Sequence, residues 1–277
     1  RIAYEKNNSV YFAVRRDKRY GSLSRLPYAK MLAIANERGN HPNDPNKKDP
    51  LDFVLWQARQ KGEPSWDSPW GAKANVFAFA GRPGWHIECN AMATKYLGET
   101  IDIHGGGGDL LFPHHESEEA QSRAAHAVPL ARRWMHTGML RYRGEKMSKS
   151  LGNLVLIADL KKRYSPNAVR IYLLSHHYRT AFEFFERDME QAEKTERIFQ
   201  QVWRTQGATG SKPLGANHYY RSFYGALYDD MDTPRALETL TAMARHMLKE
   251  KNKKNITDAK AFLSEAFNIL GLSVAYR

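Results

Sequence analysis

The sequence predicts an α/β fold, with a parallel sheet of alternating helices and strands, a connector-rich region before it and an α-helical bundle after it. Three observations predict this. Helix-like and strand-like segments alternate between Gly81 and Leu140, as a parallel sheet requires. One of those strands runs directly into four glycines, Gly105 to Gly108. From Ser165 onward, helix-start signals and a 3.6-residue apolar period dominate.

Residues 1–80 form the first region, where short β-like runs alternate with connectors rich in Pro, Asn and Lys. Residues 10–14 read as a strand, 41–50 as an exposed loop and 53–56 as a short buried segment. Residues 72–80 read as a surface excursion, although Val76 to Phe79 is apolar enough to pack inward. In the second region, 81–150, residues 91–97 have helical composition, 100–103 form a strand, 114–127 are helical and 134–140 are the next strand. That strand ends just before a lysine-containing loop, and open parallel sheets place ligands at such carboxyl ends. Residues 151–180 read as a linker. Within it Ser165 is an N-cap with Pro166 in the first turn, opening a helix over 168–175. The bundle, 181–277, is expected to hold three helices. The first, 186–203, buries Met189, Ala192, Ile198, Phe199 and Val202. The second runs over 235–249 from Thr233-Pro234, and the third over 258–270, closed by Gly271.

Forty-two Lys and Arg against 30 Asp and Glu give a formal charge of +12, which favours an anionic partner such as nucleic acid or a nucleotide. A single cysteine cannot form an internal disulfide, so a reducing, cytoplasmic setting is expected. No apolar run approaches the roughly 18 residues of a membrane-spanning helix, and no signal peptide is visible. A soluble protein with no membrane partner is the expectation.

Lys146-Met147-Ser148-Lys149-Ser150, followed by Leu151-Gly152-Asn153, puts two ammonium groups close together on one loop. Compact point charges of this kind can follow phosphate oxygens, and the serines and backbone N–H groups add neutral donors. Donors aimed at a departing pyrophosphate stabilise the charge it gains in the transition state. A bare KxxK is an ordinary solvated loop, whereas five specified residues plus LGN are a much narrower pattern. Cys89, His114 and Glu118 supply thiolate, imidazole and carboxylate, a zinc-type donor set one short of four. Taken singly, the cysteine also reads as core packing, and the His/Glu pair, four apart on one helix face, as solvated surface.

The stretches GWHIEC (84–89), DIHGGGGDLLFPHHESEEAQS (102–122), WMHTGM (134–139) and EKMSKSLGN (145–153) resemble, in sequence and in order, the cysteinyl-tRNA synthetase family of class I aminoacyl-tRNA synthetases. DPLDFVLW (49–56) and GEPSWDSPWG (62–71) match its inserted connective region, so the resemblance covers nearly the whole chain. It implies the carboxyl-terminal half of a Rossmann-type parallel sheet, an inserted connective region over 1–80, and a helical bundle. It implies ATP-dependent activation of L-cysteine to cysteinyl-adenylate and transfer of cysteine to tRNA, with Mg2+ accompanying ATP. Cys89, His114 and Glu118 take three of the family's four zinc-ligand positions, and Trp85 and His86 resemble the residues around the bound cysteine. His104, Gly105, Gly107, Asp109 and Met139 fall on the ATP side. Lys146, Ser148 and Lys149 form the catalytic loop, with Lys149 also on ATP. A soft metal that accepts a thiolate distinguishes cysteine from serine chemically, where packing differences are worth only a few kcal/mol.

Two departures shape the expectation. The family's HIGH-type sequence and its second zinc-binding cysteine are not in these 277 residues. With Arg1 leading almost at once into a strand, the chain reads as the remainder of a longer polypeptide that binds zinc weakly alone. Only 43 residues follow Pro234. That shortness, the uninterrupted 31–56 segment and Gly152 to Leu156 also resemble the cysteine ligase of mycothiol biosynthesis, which passes the same adenylate to an amino sugar, glucosaminyl-inositol. The basic stretches Lys161-Lys162-Arg163 and 249–254 favour tRNA if they follow a phosphate backbone, and otherwise read as solvated faces. A third reading is a non-catalytic fragment or paralogue that binds nucleic acid or a partner protein.

Overall fold

The computed structural model describes residues 1–68, 80–147 and 151–273. The chain divides into two compact units, Arg1–Thr137 and Gly138–Arg277. The first unit opens with the hairpin β1 (Ala3–Lys6) and β2 (Ser9–Phe12), whose tight turn places Asn7 and Asn8 at positive φ. Helix α1 (Tyr28–Glu37) follows. The apolar period does not reveal it, because only Met31 and Ala35 of its residues are fully buried. Strands β3 (Phe53–Ala58), β4 (Trp66–Asp67) and β5 (Ala80–Pro83) complete an antiparallel sheet of order β1-β2-β3-β5-β4. Its core joins Phe12, Val14, Met31, Phe53, Leu55 and Trp56 to Phe112 and Ala120, with Phe12 and Phe53 stacked 4.8 Å apart.

The segment 41–50 is a loop, but its carboxylates point inward rather than to solvent. Asp44 accepts from the Tyr11 hydroxyl at 3.0 Å. Asp49 accepts from Arg15 Nε at 2.6 Å and from the Tyr28 hydroxyl at 2.7 Å. Buried Asp52 accepts from the Tyr4 hydroxyl at 2.6 Å and from the Val14 N–H at 2.9 Å. The excursion expected at 72–80 lies, up to residue 79, outside the described residues.

Helix α2 (Trp85–Leu97) starts well before the expected residue 91, so GWHIEC is helical after its first glycine. Strand β6 (Ile101–Gly107) continues through three of the four glycines instead of stopping at Ile103. An irregular turn, Leu111–His115, precedes α3 (Glu116–His126), because Phe112 is extended (φ −140°, ψ 135°) and packs into the core. His114 therefore stands just before the regular helix. Strand β7 (Ala131–Thr137) pairs with β6 in parallel, from Ile101 opposite Ala131 to Gly107 opposite Thr137.

In the second unit the expected strand 134–140 does not continue: its last part belongs to a hairpin of β8 (Leu140–Tyr142) and β9 (Glu145–Lys146). Arg143 and Gly144 turn that hairpin at φ 57° and 78°, the pairing a type I′ turn needs. A short helix α4 (Ile157–Leu160) precedes α5 (Pro166–Leu174), where Ser165 Oγ caps the Ala168 N–H at 3.0 Å. Strand β10 (Phe182–Glu183) lies parallel to β8. Four helices complete the bundle: α6 (Glu186–Arg204), α7 (Asn217–Tyr228), α8 (Thr233–Glu250) and α9 (Thr257–Leu270). Helix α7 adds to the three expected. Asp232 rather than Thr233 caps α8, accepting from the Arg235 N–H at 3.1 Å. Met189, Phe199, Phe223, Leu240, Met243 and Phe267 are the fully buried centre. No described helix is long and apolar enough to cross a membrane.

Candidate functional site

Three pieces of the first unit converge on one cluster. Gly84 hands β5 to α2, and a side chain there would place its Cβ 2.0 Å from the Val54 carbonyl oxygen. The absence of that atom lets α2 start against β3, which puts Trp85, His86 and Cys89 on its first turns. The Leu111–His115 turn and the start of α3 bring His114, His115 and Glu118, and β6 brings His104. Gly106 on β6 is equally constrained: a Cβ there would sit 2.7 Å from His115 Cε1.

The donor atoms of Cys89, His114 and Glu118 all lie within 4.8 Å of one another, as do those of His104, His115 and Glu118. Glu118 is the shared member and is fully buried. His104 Nε2 stands 3.4 Å and His114 Nε2 3.7 Å from Glu118 Oε2, yet neither carboxyl oxygen accepts a hydrogen bond. Burying an unpaired carboxylate costs several kcal/mol, about 2–7 for an uncompensated polar group and more for a charge. The geometry is that of donors facing a shared centre. His86 Nδ1 and His114 Nδ1 lie 2.9 Å apart. If His114 carries its proton on Nδ1, Nε2 presents a lone pair to Glu118. His115 Nδ1 and His136 Nε2 form a second such contact at 2.8 Å. Trp85 stacks on His114 at 4.4 Å, and Trp134 lies against His104 at 4.7 Å and His115 at 5.1 Å.

Burial governs the charge state. It lowers His86 and His115 to about 3 and His114 to about 4, and neighbouring imidazoles push the same way. His104 is lowered by burial and by His136. Burial alone raises the Glu118 carboxyl to about 7, and burial, Glu118 and Glu88 together raise the Cys89 thiol. Neutral imidazoles are the form that binds a metal, and a divalent cation at the centre would reverse the shifts of Glu118 and Cys89. Sulfur, imidazole and carboxylate donors around an unsatisfied buried oxygen suit zinc. The residues fit the ion.

The other residues singled out in the sequence distribute as follows. Trp85 and His86 line a cavity of about 310 Å3, together with Arg38, Lys47, Arg82 and Ser117. His104 turns toward Glu118, joining the donor cluster. Gly105 and Gly107 pair with Met135 and Thr137 along β6. Asp109 follows in the turn, and its carbonyl, like that of Phe112, accepts from Arg38 Nη1. In the second unit, the Met139 carbonyl accepts from the Phe182 N–H at 3.2 Å. Lys146 ends β9, and its carbonyl accepts from Asn153 Nδ2 at 3.2 Å. Ser148 and Lys149 lie outside the described residues. Sequence reasoning missed Trp134, the His115–His136 contact and the Arg38 clamp. The density of histidines between 86 and 136 was the one available signal.

Residues 1–194 match the family model described as tRNA synthetases class I (C) catalytic domain. The cysteine--tRNA ligase of Picosynechococcus sp. (strain PCC 7002) is 44% identical over 261 residues, covering 91% of this chain and 52% of the relative. That of Pseudomonas syringae pv. tomato is 42% identical over 269 residues, covering 96% and 55%. The chain thus spans about half the length of the curated relatives it matches. Among solved structures, Mycobacterium tuberculosis methionyl-tRNA synthetase in complex with methionyl-adenylate superposes with a TM-score of 0.57 at 14% identity, over 94% of this chain and 57% of that one. The leucyl enzyme of Agrobacterium radiobacter K84 superposes at 0.51 and 13%, over 74% and 31%. These superpositions agree with the Rossmann-type α/β fold expected from the sequence. With that fold, a family match over residues 1–194, and identity above 40% to ligases of one kind, this chain belongs to the cysteinyl-tRNA synthetase family of class I synthetases.

Proposed function

We propose that this chain carries the cysteine-recognising and pyrophosphate-side parts of a cysteine--tRNA ligase, which activates L-cysteine with ATP and passes it to tRNA. The observation that carries the reading is the Cys89–His114–Glu118 set around a buried carboxylate without a hydrogen-bond donor, in a chain whose relatives bear that ligase name. These three residues would hold zinc, which supplies a soft position that takes a thiolate and refuses a hydroxyl. Trp85 and His86 wall the neighbouring cavity and orient the amino acid. His104 faces Glu118 from the β6 side. Gly105, Gly107, Asp109 and Met139 offer backbone and a carboxylate to ATP, which arrives with Mg2+.

In the first step a carboxylate oxygen of cysteine attacks the α-phosphorus, the bond to the bridging oxygen breaks, and pyrophosphate leaves. No proton need move, so positioning and charge stabilisation dominate. Lys146 and Lys149, with Ser148 between them, neutralise the leaving pyrophosphate. A tRNA hydroxyl then attacks the acyl carbon and AMP departs.

The test is cysteine-dependent ATP–pyrophosphate exchange on the polypeptide as it is made in the cell. Lys149→Ala should lower the exchange rate by about 10²–10³ while cysteine binding changes far less. An unaltered exchange rate would remove the catalytic role of the loop. Supplying tRNA and glucosaminyl-inositol separately to the activated enzyme, and following labelled cysteine, then identifies the acceptor.

A further inference from the structure

Three arginines of the first unit reach across the fold to a carboxylate: Arg15 to Asp49 at 2.6 Å, Arg123 to Asp17 at 2.6 Å and Arg82 to Glu63 at 2.8 Å. Arg38 ends on the main chain instead. Its Nη1 donates to the carbonyls of both Asp109 and Phe112, 71 and 74 residues away. Those two carbonyls bracket the turn that leads from β6 into the irregular segment before α3. A guanidinium that spends both hydrogens of one nitrogen on backbone acceptors fixes a chain position rather than balancing a charge.

The clamp is rooted in the core at its base. Arg38 closes α1, where its N–H donates to the Ala35 carbonyl at 2.9 Å and the Asn40 N–H to the same carbonyl at 3.0 Å. Ala35 and Met31 belong to the cluster that also holds Phe112 and Ala120. Phe112 is buried there, edge-on to Tyr20 at 6.2 Å. One end of the turn is therefore anchored by its own side chain. The other end is not: the Gly108 N–H makes the last bond to β7, to the Thr137 carbonyl at 2.8 Å, and half-buried Asp109 is the first residue beyond it. Arg38 Nη1 ties that residue to the fixed Phe112 end. The turn thus has two outputs, the Asp109 carboxylate at its start and His114, two residues past Phe112, at the donor cluster. The core governs the second and Arg38 bears on the first.

We propose that Arg38, on the connective region, is a positioning residue for the nucleotide: it holds the Asp109–Phe112 turn so that the Asp109 carboxylate stands ready for the hydroxyls of the ATP ribose. The inference rests on the activation reading above, which puts Asp109 on ATP, and adds the residue that acts through it. Ribose contacts lie away from the phosphorus that reacts, so they hold substrate and transition state equally. Their loss raises KM and leaves kcat in place.

The experiment is a double-mutant cycle on the intact polypeptide, read by cysteine-dependent ATP–pyrophosphate exchange, by ATP binding in equilibrium dialysis and by zinc competition with a chelator. Arg38→Ala should raise KM and Kd for ATP about tenfold, the scale of lost charge-assisted hydrogen bonds. Its kcat should stay within about threefold and its zinc affinity within about twofold of the parent, because Phe112 holds the His114 end. Asp109→Asn alone should weaken ATP to a similar degree. In the Asp109→Asn background, Arg38→Ala should add less than about twofold, since a residue that works only through Asp109 has nothing left to position. Parental ATP affinity in Arg38→Ala would overturn the proposal. So would effects that multiply in the double variant, which would make the two residues independent, or a joint fall of kcat, zinc affinity and ATP affinity in Arg38→Ala, which would make Arg38 a general support of the fold. A parent that binds ATP but shows no exchange counts against the activation reading alone, because the dialysis arm of the cycle still decides on Arg38. A parent that binds no ATP overturns both.

Discussion

Glu118 shows how one buried atom pair can define a site. Burial raises its carboxyl to about 7, and two imidazoles face it without hydrogen bonding, so the metal-free protein holds a group it cannot satisfy. Glu118→Gln retains the shape and removes the charge. Zinc affinity, read by competition with a chelator, should fall at least about tenfold, and the metal-free variant should be no less stable than its parent. Gly106 sets the other side of the same cluster. Gly106→Ala would drive a methyl to 2.7 Å from the His115 ring, where Leu110 Cδ1 at 3.0 Å closes the other escape. Overpacking of that kind costs about 1–3 kcal/mol, measurable as a lowered urea midpoint with an unchanged m-value.

Among the elements, the turn between α7 and α8 carries two consecutive non-glycine residues at positive φ, Asp230 at 54° and Met231 at 55°. The contacts made by Asp230 hold that conformation. Its carboxylate accepts from Arg179 Nε at 2.6 Å and the Tyr178 hydroxyl at 2.8 Å, and its carbonyl lies 3.1 Å from His177 Nε2. Arg179, then Tyr178, lower its pKa to about 2 from the ordinary 3.8. A carboxylate depressed in the folded state contributes stability above its ordinary pKa and loses it as the pH falls through about 2. Asp230→Asn should therefore be less stable than the parent at pH 5, and the gap should close between about pH 4 and pH 2. Acid titration of the two proteins by circular dichroism checks this. Sequence patterns captured the elements whose signals are local. The Ser165-Pro166 cap, the period of α6 except for Ile198, which is half-buried, and the αL glycine after α9 stand where they were expected. Helix α1 escaped because only Met31 and Ala35 of it are buried, and the reach of β6 into the glycines escaped because a glycine run reads as a turn until a partner strand is known. The cluster was partly legible. Cys89, His114 and Glu118 could be named from residue types and resemblance, whereas His104 reaches Glu118 only through the β6–β7 register, which no local pattern encodes.

At the level of the whole molecule, the candidate metal centre and the helical bundle rest on different cores. Phe12, Phe53 and Phe112 anchor the first unit and Phe199, Phe223 and Phe267 the second, with no residue shared between the two clusters. Phe267 is fully buried, edge-on to Phe199 at 5.0 Å and to Trp203 at 5.7 Å. Removing that ring costs about 3–5 kcal/mol through lost transfer energy and the cavity left behind. The donors around Glu118 all belong to the first unit and Phe267 to the second. Phe267→Ala should accordingly lower the stability of the helical unit by that amount while leaving zinc affinity at 25 °C within about twofold of the parent, since sites on separate cores with no common partner act additively. Hydrogen exchange resolved by segment and a zinc competition titration on the same sample test both halves. A joint loss of bundle protection and zinc affinity would show that the two cores fold as one.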